Sequence, residues 1–392
     1  MTISYWLDES ANHQKNFDVA IIGAGIAGLS AAYWLEKKDS TLKIAVIDKN
    51  AVGAGASGRN AGFITCGSAE HFNKLNIQFG LAKATEIWRF SEENREHLKK
   101  EIIQDDLSSV DYLNTGSCTV APSADDWVHY QKIFADMQAA QIDVELVDEQ
   151  YLKENYGVRN FQGAIQYKHD GVIHPLKLLK KIQSKLKNTT YLLAEEVFSL
   201  THLASEIKIT TQRHQIHCKK VFVCLNGFAS QLLPELKNFV HPQRGQVIVT
   251  EPLPPFVKGP CYLVKHLCYF RQLPTGELLV GGFRNHDIEG ENTAHDAATD
   301  KIQNALAEFA KSYFENTANV KINYRWSGIM GFTADNQMLI GENPLRPGVH
   351  LMAGCSGHGM GLSFNSARVM IENAIDQIPV PAHFDLNRIL LK

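Results

Sequence analysis

Short apolar runs alternate with segments of helical composition at the start of the chain. Residues 18–22 form an apolar run of strand length, residues 26–35 are rich in Ala and Leu, and residues 44–47 form a second run that ends in Asp48. This order predicts a strand, a helix and a second strand. Further helices are predicted over 81–104, 127–140 and 176–186. Further strands are predicted over 110–120, 191–197, 206–211 and 220–225.

The pattern changes between residues 228 and 325. Alternating apolar positions, separated by proline and glycine turns, predict antiparallel strands in the segments QVIVT, CYLV, YFRQL and LLVGG. A strand over 350–353, a glycine-rich loop over 354–361 and a helix from about 362 to 375 are predicted to follow. We therefore expect two structural domains. The first is built from residues 1–80, 165–227 and 326–392, and the second from residues 81–164 and 228–325.

Composition narrows the class of protein. The chain has 392 residues, 44% of them hydrophobic, and a net charge of −3, so nothing favours nucleic acid or an anionic membrane as a partner. Its seven cysteines are scattered without a C-x-x-C pair, which favours a reducing compartment. No apolar run reaches transmembrane length, and residues 1–18 lack the layout of a signal peptide. We expect a cytoplasmic protein with no membrane span and no metal site.

The first candidate site is a glycine-rich turn between the first strand and the first helix. Gly23, Gly25 and Gly28 have the spacing G-x-G-x-x-G, and Asp48 follows the third glycine by twenty residues. This context is the fingerprint of a dinucleotide site, in which the helix N-terminus faces the pyrophosphate and the acid accepts from ribose hydroxyls. The alternative is a glycine-rich turn that holds no nucleotide. The fingerprint alone does not distinguish NAD from FAD.

A second glycine-rich segment distinguishes the two cofactors. The run GAGASGRNAGF over residues 53–63 lacks large side chains, so its backbone can lie against a broad planar group. Ser57, Arg59 and Asn60 within it can donate to phosphate oxygens or ring carbonyls. A nicotinamide enzyme has no need of this loop, so the pair of loops favours FAD. The alternative is a flexible linker.

With these loops, the chain resembles the D-amino-acid oxidase superfamily of FAD-dependent oxidoreductases. It is most similar to the branch that holds γ-glutamylputrescine oxidoreductase and sarcosine-oxidase-like proteins. The segments that carry the resemblance beyond residue 63 are DGVIHPLKLLKKI, VFVCLNGFAS, HPQRGQVIVTEPL, YFRQLPTGELLVGGFR, RWSGIMGFTADNQMLIG and GVHLMAGCSGHGMGLSF. The resemblance implies a discontinuous α/β FAD-binding Rossmann-like domain. It also implies an α+β substrate domain with a mainly antiparallel sheet.

The resemblance also implies which residues contact FAD. The first loop holds the ADP half, the second passes beside the flavin, and the loop GCSGHGMG lies at the pyrimidine edge. Asn226 and Gly227 stand where most relatives have Ala-Gly, close to the cofactor. The implied cofactor-binding residues are Gly23, Ala24, Gly25, Ile26, Ala27, Gly28, Asp48, Lys49, Gly55, Ala56, Ser57, Gly58, Arg59, Asn60, Ala61, Gly62, Phe63, Val197, Asn226, Gly227, Gly357, His358, Gly359, Met360 and Gly361.

Three residues are candidates for contact with substrate. His358 can donate to the flavin or substrate, or can be a structural group satisfied by backbone. Tyr269 and Arg271 lie two residues apart on a predicted strand and therefore share a face. If that face looks over the flavin, Tyr269 packs on substrate and Arg271 pairs with a carboxylate. The alternative for Arg271 is an ion pair with a surface acid.

Departures from relatives refine the implied chemistry. Met330 stands near the place where glycine-oxidase-like members carry a carboxylate-binding Arg, which favours an amine or an N-substituted amino compound. Leu278 and Leu279 stand where sarcosine-oxidase-like members carry a Lys that promotes reaction with oxygen, so oxygen or another electron acceptor is open. No counterpart of their flavin-linked cysteine is present near residues 328–331. Non-covalent FAD is therefore expected.

The expected reaction is hydride transfer from a substrate carbon to flavin N5, after which the imine hydrolyses in water. The first alternative is an amino-acid or N-methyl-amino-acid dehydrogenase that passes electrons to a quinone or partner protein. The second is a flavin-binding subunit with little activity alone. An NAD-dependent dehydrogenase is a further alternative, opposed by the second loop. The partners expected are a small-molecule amine or amino-acid substrate and the electron acceptor.

Overall fold

The computed structural model describes residues 4–10 and 13–391. The predicted domain segments begin at residue 1 and end at residue 392, and these two ends lie outside the described residues. The helices are α1 (Tyr5–Ser10), α2 (Ile26–Lys38), α3 (Ala56–Arg59), α4 (Ala69–Phe79), α5 (Leu81–His97), α6 (Ala124–Ala139), α7 (Glu149–Tyr156), α8 (Pro175–Lys185), α9 (Ala229–Leu232), α10 (Ile288–Glu291), α11 (Asp300–Ser312), α12 (Gly359–Asp376) and α13 (Asn387–Leu390).

The strands are β1 (His13–Asn16), β2 (Val19–Ile22), β3 (Ile44–Asp48), β4 (Phe63–Ile64), β5 (Ser117–Ala121), β6 (Val144–Asp148), β7 (Gly163–Tyr167), β8 (Gly171–Val172), β9 (Thr189–Leu193), β10 (Val197–His202), β11 (Ile207–Thr211), β12 (His214–Cys218), β13 (Lys220–Val223), β14 (His241–Pro252), β15 (Cys261–Leu263), β16 (Cys268–Gln272), β17 (Glu277–Gly281), β18 (Ile322–Phe332), β19 (Leu339–Glu342) and β20 (Val349–Ala353).

A six-stranded sheet in the order β19-β20-β13-β2-β3-β9 forms the first centre of the fold. Its strands run parallel except for β19 at the edge, which pairs antiparallel with β20. Successive residues of β2 enter different apolar clusters: Ile21 packs with α2 and α12, and Ile22 packs toward β10–β12. Burial on both faces explains the continuously apolar strands. The expected parallel, Rossmann-like sheet is confirmed.

An eight-stranded sheet in the order β18-β14-β17-β16-β15-β5-β7-β6 forms the second centre. All its pairs are antiparallel except β15 with β5. One face carries Phe270 and Val280 and packs on α11. The opposite face carries Val247 and Leu279 and packs on residues 61–63. This second face therefore meets the loop that was expected to lie beside the flavin.

Most predicted elements are present, with corrections at their ends. The final helix begins at Gly359, inside the predicted loop, and the helix predicted over 81–104 ends at His97, followed by a π-helical turn over Leu98–Ile103. The strand predicted over 110–120 is wrong in its first part, because Gly116 has φ +71° and β5 begins only at Ser117. The strand predicted over 191–197 is wrong in its middle part, because Ala194, with φ +52°, separates β9, which ends at Leu193, from β10, which begins at Val197.

The domain boundaries remain a prediction. Helix α5, placed with the second domain by the predicted boundaries, lies against α12: the backbone N–H of Asn365 donates to Asn94 Oδ1 at 3.0 Å.

Over the part of the chain that the structure describes, no helix is both long and apolar enough to cross a membrane.

Candidate functional site

A cavity of about 510 Å³ runs along the carboxyl ends of the parallel strands and continues under the antiparallel sheet. Three turns build its first half: the β2–α2 turn, the segment between β3 and β4, and the turn before α12. Strands β15, β16 and β18 contribute to its second half. Open sheets of this kind place ligands at the carboxyl ends of their strands.

The β2–α2 turn is possible only with glycine. Gly23 has φ +113°, and a Cβ there would lie 2.6 Å from the carbonyl oxygen of Cys224. A Cβ at Gly28 would lie 1.8 Å from the carbonyl oxygen of Gly23, so α2 can approach the turn only without a side chain. Asp48 at the end of β3 fixes the turn, because Asp48 Oδ2 accepts from the N–H of Ala24 at 2.8 Å. The first turn of α2 contains no acidic residue.

The second loop closes against the first. Ser57 Oγ accepts from the N–H of Ile26 at 2.9 Å, and a Cβ at Gly25 would lie 2.7 Å from that oxygen. Arg59 donates from Nη1 to the carbonyl of Ser327 at 2.9 Å and forms an ion pair with Asp296. The Nδ2 of Asn60 donates to the carbonyl of Ser57 at 2.8 Å. Arg59 and Asn60 therefore use these donors within the protein, and they hold the shape of the loop.

The third loop is held by Asn226. This residue has φ +46°, and its Oδ1 accepts from the N–H of Gly354 at 3.0 Å and of Cys355 at 3.1 Å. Gly357 has φ +85°, and α12 starts two residues later with no side-chain cap at His358 and no acidic residue in its first turn. The positive end of the α12 dipole is therefore directed toward the cavity, which its first residues line.

These three loops fit FAD. Two helix N-termini without acidic residues meet at one cavity, and glycine backbones form its wall where a Cβ would collide with the neighbouring loop. Asp48 lines the same cavity, and its carboxylate is suited to accept hydrogen bonds from ribose hydroxyls. The ion pair between Lys49 and Glu196 lies at the Asp48 end of the cavity. Anionic phosphates and an electron-rich ring edge are the groups that such N-termini stabilise.

An aromatic wall faces the loops from the antiparallel sheet. The ring of Phe63 packs edge-on against Tyr262 at 5.3 Å and Tyr269 at 5.6 Å, measured between ring centroids. Tyr262 and Thr65 share a hydrogen bond of 2.5 Å between their hydroxyls. Tyr269 lies opposite Gly281, where a Cβ would come within 2.5 Å of the tyrosine ring. Burial raises the pKa of Tyr269 to about 12, so its hydroxyl is a neutral donor.

Two stacked imidazoles form another part of the wall. The rings of His71 and His358 lie 4.2 Å apart between centroids, with an angle of 18° between their planes. Burial lowers the pKa of both, and the charge of Arg284 lowers that of His358 further, so both rings are neutral near pH 7. One ring nitrogen of His358, Nδ1, lies 3.0 Å from the carbonyl oxygen of Ser356. Within the described part of the chain, His71 Nδ1 is buried without a hydrogen-bond partner.

The structure brings most of the predicted residues to this one cavity. Those that line it are Gly23, Gly25, Ile26, Ala27, Asp48, Lys49, Gly55, Ala56, Ser57, Arg59, Asn60, Ala61, Phe63, Val197, Asn226, Tyr269, Gly357, His358, Gly359, Met360 and Gly361. Those that do not are Ala24, Gly28, Gly58, Gly62, Gly227 and Arg271. The four glycines of the second group pack against backbone: a Cβ at Gly62, for example, would lie 2.1 Å from the carbonyl oxygen of Ile173.

Arg271 lies behind the second loop. Its Nη1 donates to the carbonyl of Gly62 at 3.2 Å, and its Nε is buried without a partner among the described residues. Burial lowers its pKa to about 10. The residues that line the cavity but were not identified from the sequence include Arg284, His71 and Tyr262. Arg284 ends the segment VGGFR, so its position directly after a predicted strand was the sequence signal that could have identified it. No sequence signal identified His71.

Known proteins agree with this geometry. The sequence matches the protein family described as "DAO: FAD dependent oxidoreductase" over residues 18–373. It is 26% identical to a probable oxidoreductase, OrdL, of Haemophilus influenzae, covering 91% of this chain and 83% of the relative. It is 23% identical to γ-glutamylputrescine oxidoreductase of Escherichia coli, covering 93% and 85%. The fold is similar to that of glycine oxidase from Geobacillus kaustophilus, with a TM-score of 0.81, 18% identity, and 95% and 99% of the chains covered.

Proposed function

The chain belongs to the DAO family of FAD-dependent oxidoreductases, and from this premise we propose that it oxidises a C–N bond of an amine or N-substituted amino compound. One observation carries the proposal. The cavity lined by the three loops continues without interruption to Tyr262, Tyr269 and the His71–His358 pair. A cofactor in the loops and a small substrate beneath the antiparallel sheet would therefore share one continuous space.

The residues of the cavity suit this reaction. Bound FAD supplies the acceptor for a hydride leaving the carbon next to nitrogen. Phe63, Tyr262 and Tyr269 would form an apolar wall beside that position. The neutral His358 ring can accept a hydrogen bond from a protonated amine or a proton from it. The N-terminus of α12 lines the cavity and would present positive potential to a bound cofactor. The imine product hydrolyses in water.

The residues that line the second half of the cavity support the proposed substrate class. Met330 lies in the cavity wall, and its Cε would be 2.8 Å from a Cβ at Gly245, so the side chain fills the space next to β14. A small amino acid would need a cation at the position of Met330 to bind its carboxylate. The apolar thioether found there therefore supports an amine or N-substituted amino compound as the substrate. The Escherichia coli relative carries the name of a γ-glutamyl amine, which supports the same class.

The electron acceptor is proposed to be something other than oxygen. Leu278 and Leu279, at the positions where the resemblance places an oxygen-promoting Lys, are buried, and neither lines the cavity. The lysines that do, among the described residues, are Lys49, paired with Glu196 at the Asp48 end, and Lys74 on α4. A cytoplasmic location is proposed as well, supported by seven cysteines that are all free and buried.

Turnover in the presence of an artificial dye tests the proposed function. The purified FAD-loaded protein is given a panel of alkyl amines, γ-glutamyl amines, N-methyl amino acids and free amino acids, and both dye reduction and carbonyl product are measured. We expect one carbonyl formed for each two-electron reduction of dye with an amine of the panel. Turnover confined to amino acids would favour the dehydrogenase alternative. No turnover with FAD bound would favour a subunit that requires a partner.

A further inference from the structure

We propose that Arg284 is the carboxylate-binding residue of this cavity and that the amine oxidised here therefore carries a carboxylate. This inference rests on the proposed function for the identity of the reacting group. It differs from the expectation for Arg271, which lies behind Gly62 and outside the cavity.

The local backbone directs Arg284 into the cavity. After β17, Gly282 has φ +116° and Phe283 has φ +60°. A Cβ at Gly282 would lie 2.0 Å from the carbonyl oxygen of Leu267, so the chain can make this bend only with glycine. Two consecutive residues with positive φ are uncommon and cost conformational energy. The bend brings Arg284 to the cavity wall beside Tyr269 and His358.

The guanidinium of Arg284 is held by an aromatic ring and leaves its donors free. Its Cζ lies 4.4 Å from the ring centroid of Phe332, so it stacks on that face. Within residues 4–10 and 13–391, no carboxylate forms an ion pair with it and no hydrogen bond occupies its donors. Burial lowers its pKa, which reflects the cost of a desolvated charge without an anion. A carboxylate in the cavity would offset that cost and could bind both nitrogens of the fork.

The other charges of the cavity leave this position free for an anion. Every acid in the lining is already engaged: Asp48 by backbone N–H of Ala24, Glu195 by Arg213, Glu196 by Lys49, and Asp335 by Arg388. Arg59 is likewise paired with Asp296. Among the described lining residues, the cations without an acid partner are Arg284 and Lys74, which is exposed. The buried end of the cavity therefore favours a ligand with negative charge.

Binding of a simple dicarboxylate tests the assignment without turnover. Glutarate and its neutral isostere glutaramide are titrated into the FAD-loaded protein, and the perturbation of the flavin spectrum is followed. We expect glutarate to bind and Arg284→Gln to raise its dissociation constant at least about 30-fold, the lower range for removing one partner of a desolvated charge pair. Arg325→Gln is the matched control, because Arg325 is exposed, donates to Gln303 and does not line the cavity.

The outcomes separate this inference from the proposed function. Equal glutarate affinity in the wild type and Arg284→Gln, or equal affinity for glutarate and glutaramide, would overturn the assignment even if amines are oxidised. If Arg284→Gln no longer holds FAD, Arg284→Lys decides: it keeps the charge without the fork, so glutarate should still bind, more weakly than to the wild type. Weaker binding of glutarate to Arg284→Lys than to the wild type while FAD stays bound, with full binding in Arg271→Lys, would support the assignment. Full binding in Arg284→Lys with weakened binding in Arg271→Lys would return the role to Arg271.

Discussion

Replacement of Asn226 should weaken FAD binding, because this side chain orders the third loop. In Asn226→Ala the N–H groups of Gly354 and Cys355 both lose their acceptor. An unsatisfied N–H costs about 1–3 kcal/mol, and since Asn226 lines the cavity, water can reach the site and the lower end applies to each group. The hydrogen-bond loss of about 2 kcal/mol, before any backbone strain is added, must be regained when FAD orders the loop, so the dissociation constant of FAD should rise at least about 30-fold.

Two further variants separate hydrogen bonding from backbone strain. Asn226 has φ +46°, a conformation that costs alanine about 1 kcal/mol and glycine nothing. Asn226→Gly therefore removes the acceptor without the strain, and Asn226→Asp keeps an acceptor and tolerates the backbone. FAD affinity, measured by quenching of flavin fluorescence, should fall in the order wild type, Asp, Gly, Ala. The reasoning is refuted if Asn226→Gly binds FAD as tightly as the wild type, or if Asn226→Asp binds as weakly as Asn226→Ala.

Three other predictions follow from the same structure. FAD should be released into the supernatant on acid precipitation, and Gly25→Val should purify without it, because its side chain would meet Ser57 Oγ and the phosphate space; yellow precipitate would contradict non-covalent binding. Reduced enzyme should react faster with an artificial dye than with air, since this chain has Leu278 and Leu279 where the resemblance implies an oxygen-promoting lysine; comparable rates would show that the missing lysine has no importance here. Burial lowers the pKa of His350 to about 4, against 6.5 for an exposed ring. Between these two pH values the unfolded chain binds one more proton than the folded chain. The free energy of unfolding therefore falls as the pH falls from 6.5 to 4, by at most about 1.4 kcal/mol per pH unit. His350→Phe should reduce this slope in urea titrations; an unchanged slope would show that His350 is not its source.

The nucleotide half of the site could be predicted because its signals are local. Gly23, Gly25 and Gly28 lie within six residues of one another, and Asp48 lies at the end of the adjacent parallel strand. Spacing along the chain therefore determined their arrangement in space. The resemblance to a known family extended this to the loop at Gly357 and to the antiparallel sheet.

The substrate half depended on contacts that spacing does not encode. Tyr269 and Arg271 both contact residues 62–63, in agreement with a shared strand face, yet the loop covers Arg271 and leaves Tyr269 open to the cavity. Arg284 reaches the cavity because the chain bends at Phe283, which has a positive φ. The sequence contains no pattern that predicts this conformation. His71 reaches the site on α4, a helix that the hydrophobic pattern did not identify. These residues became visible only when the tertiary structure placed them on one wall.

The same limit explains the roles of Arg59 and Asn60. Their position inside a glycine-rich run suggested donors directed at a cofactor. In the structure the donor groups are used by carbonyls of Ala54, Ser327 and Ser57. These two polar residues thus hold the shape of the loop through their hydrogen bonds.

Anaerobic mixing of the FAD-loaded protein with amines tests the central claim most directly, because it follows the flavin itself in a single turnover. We predict that a carboxylate-bearing alkyl or γ-glutamyl amine bleaches the flavin absorbance fully, and that glycine and alanine do so more slowly. Flavin that stays oxidised with every amine, or that is bleached fastest by short free amino acids, would contradict the account.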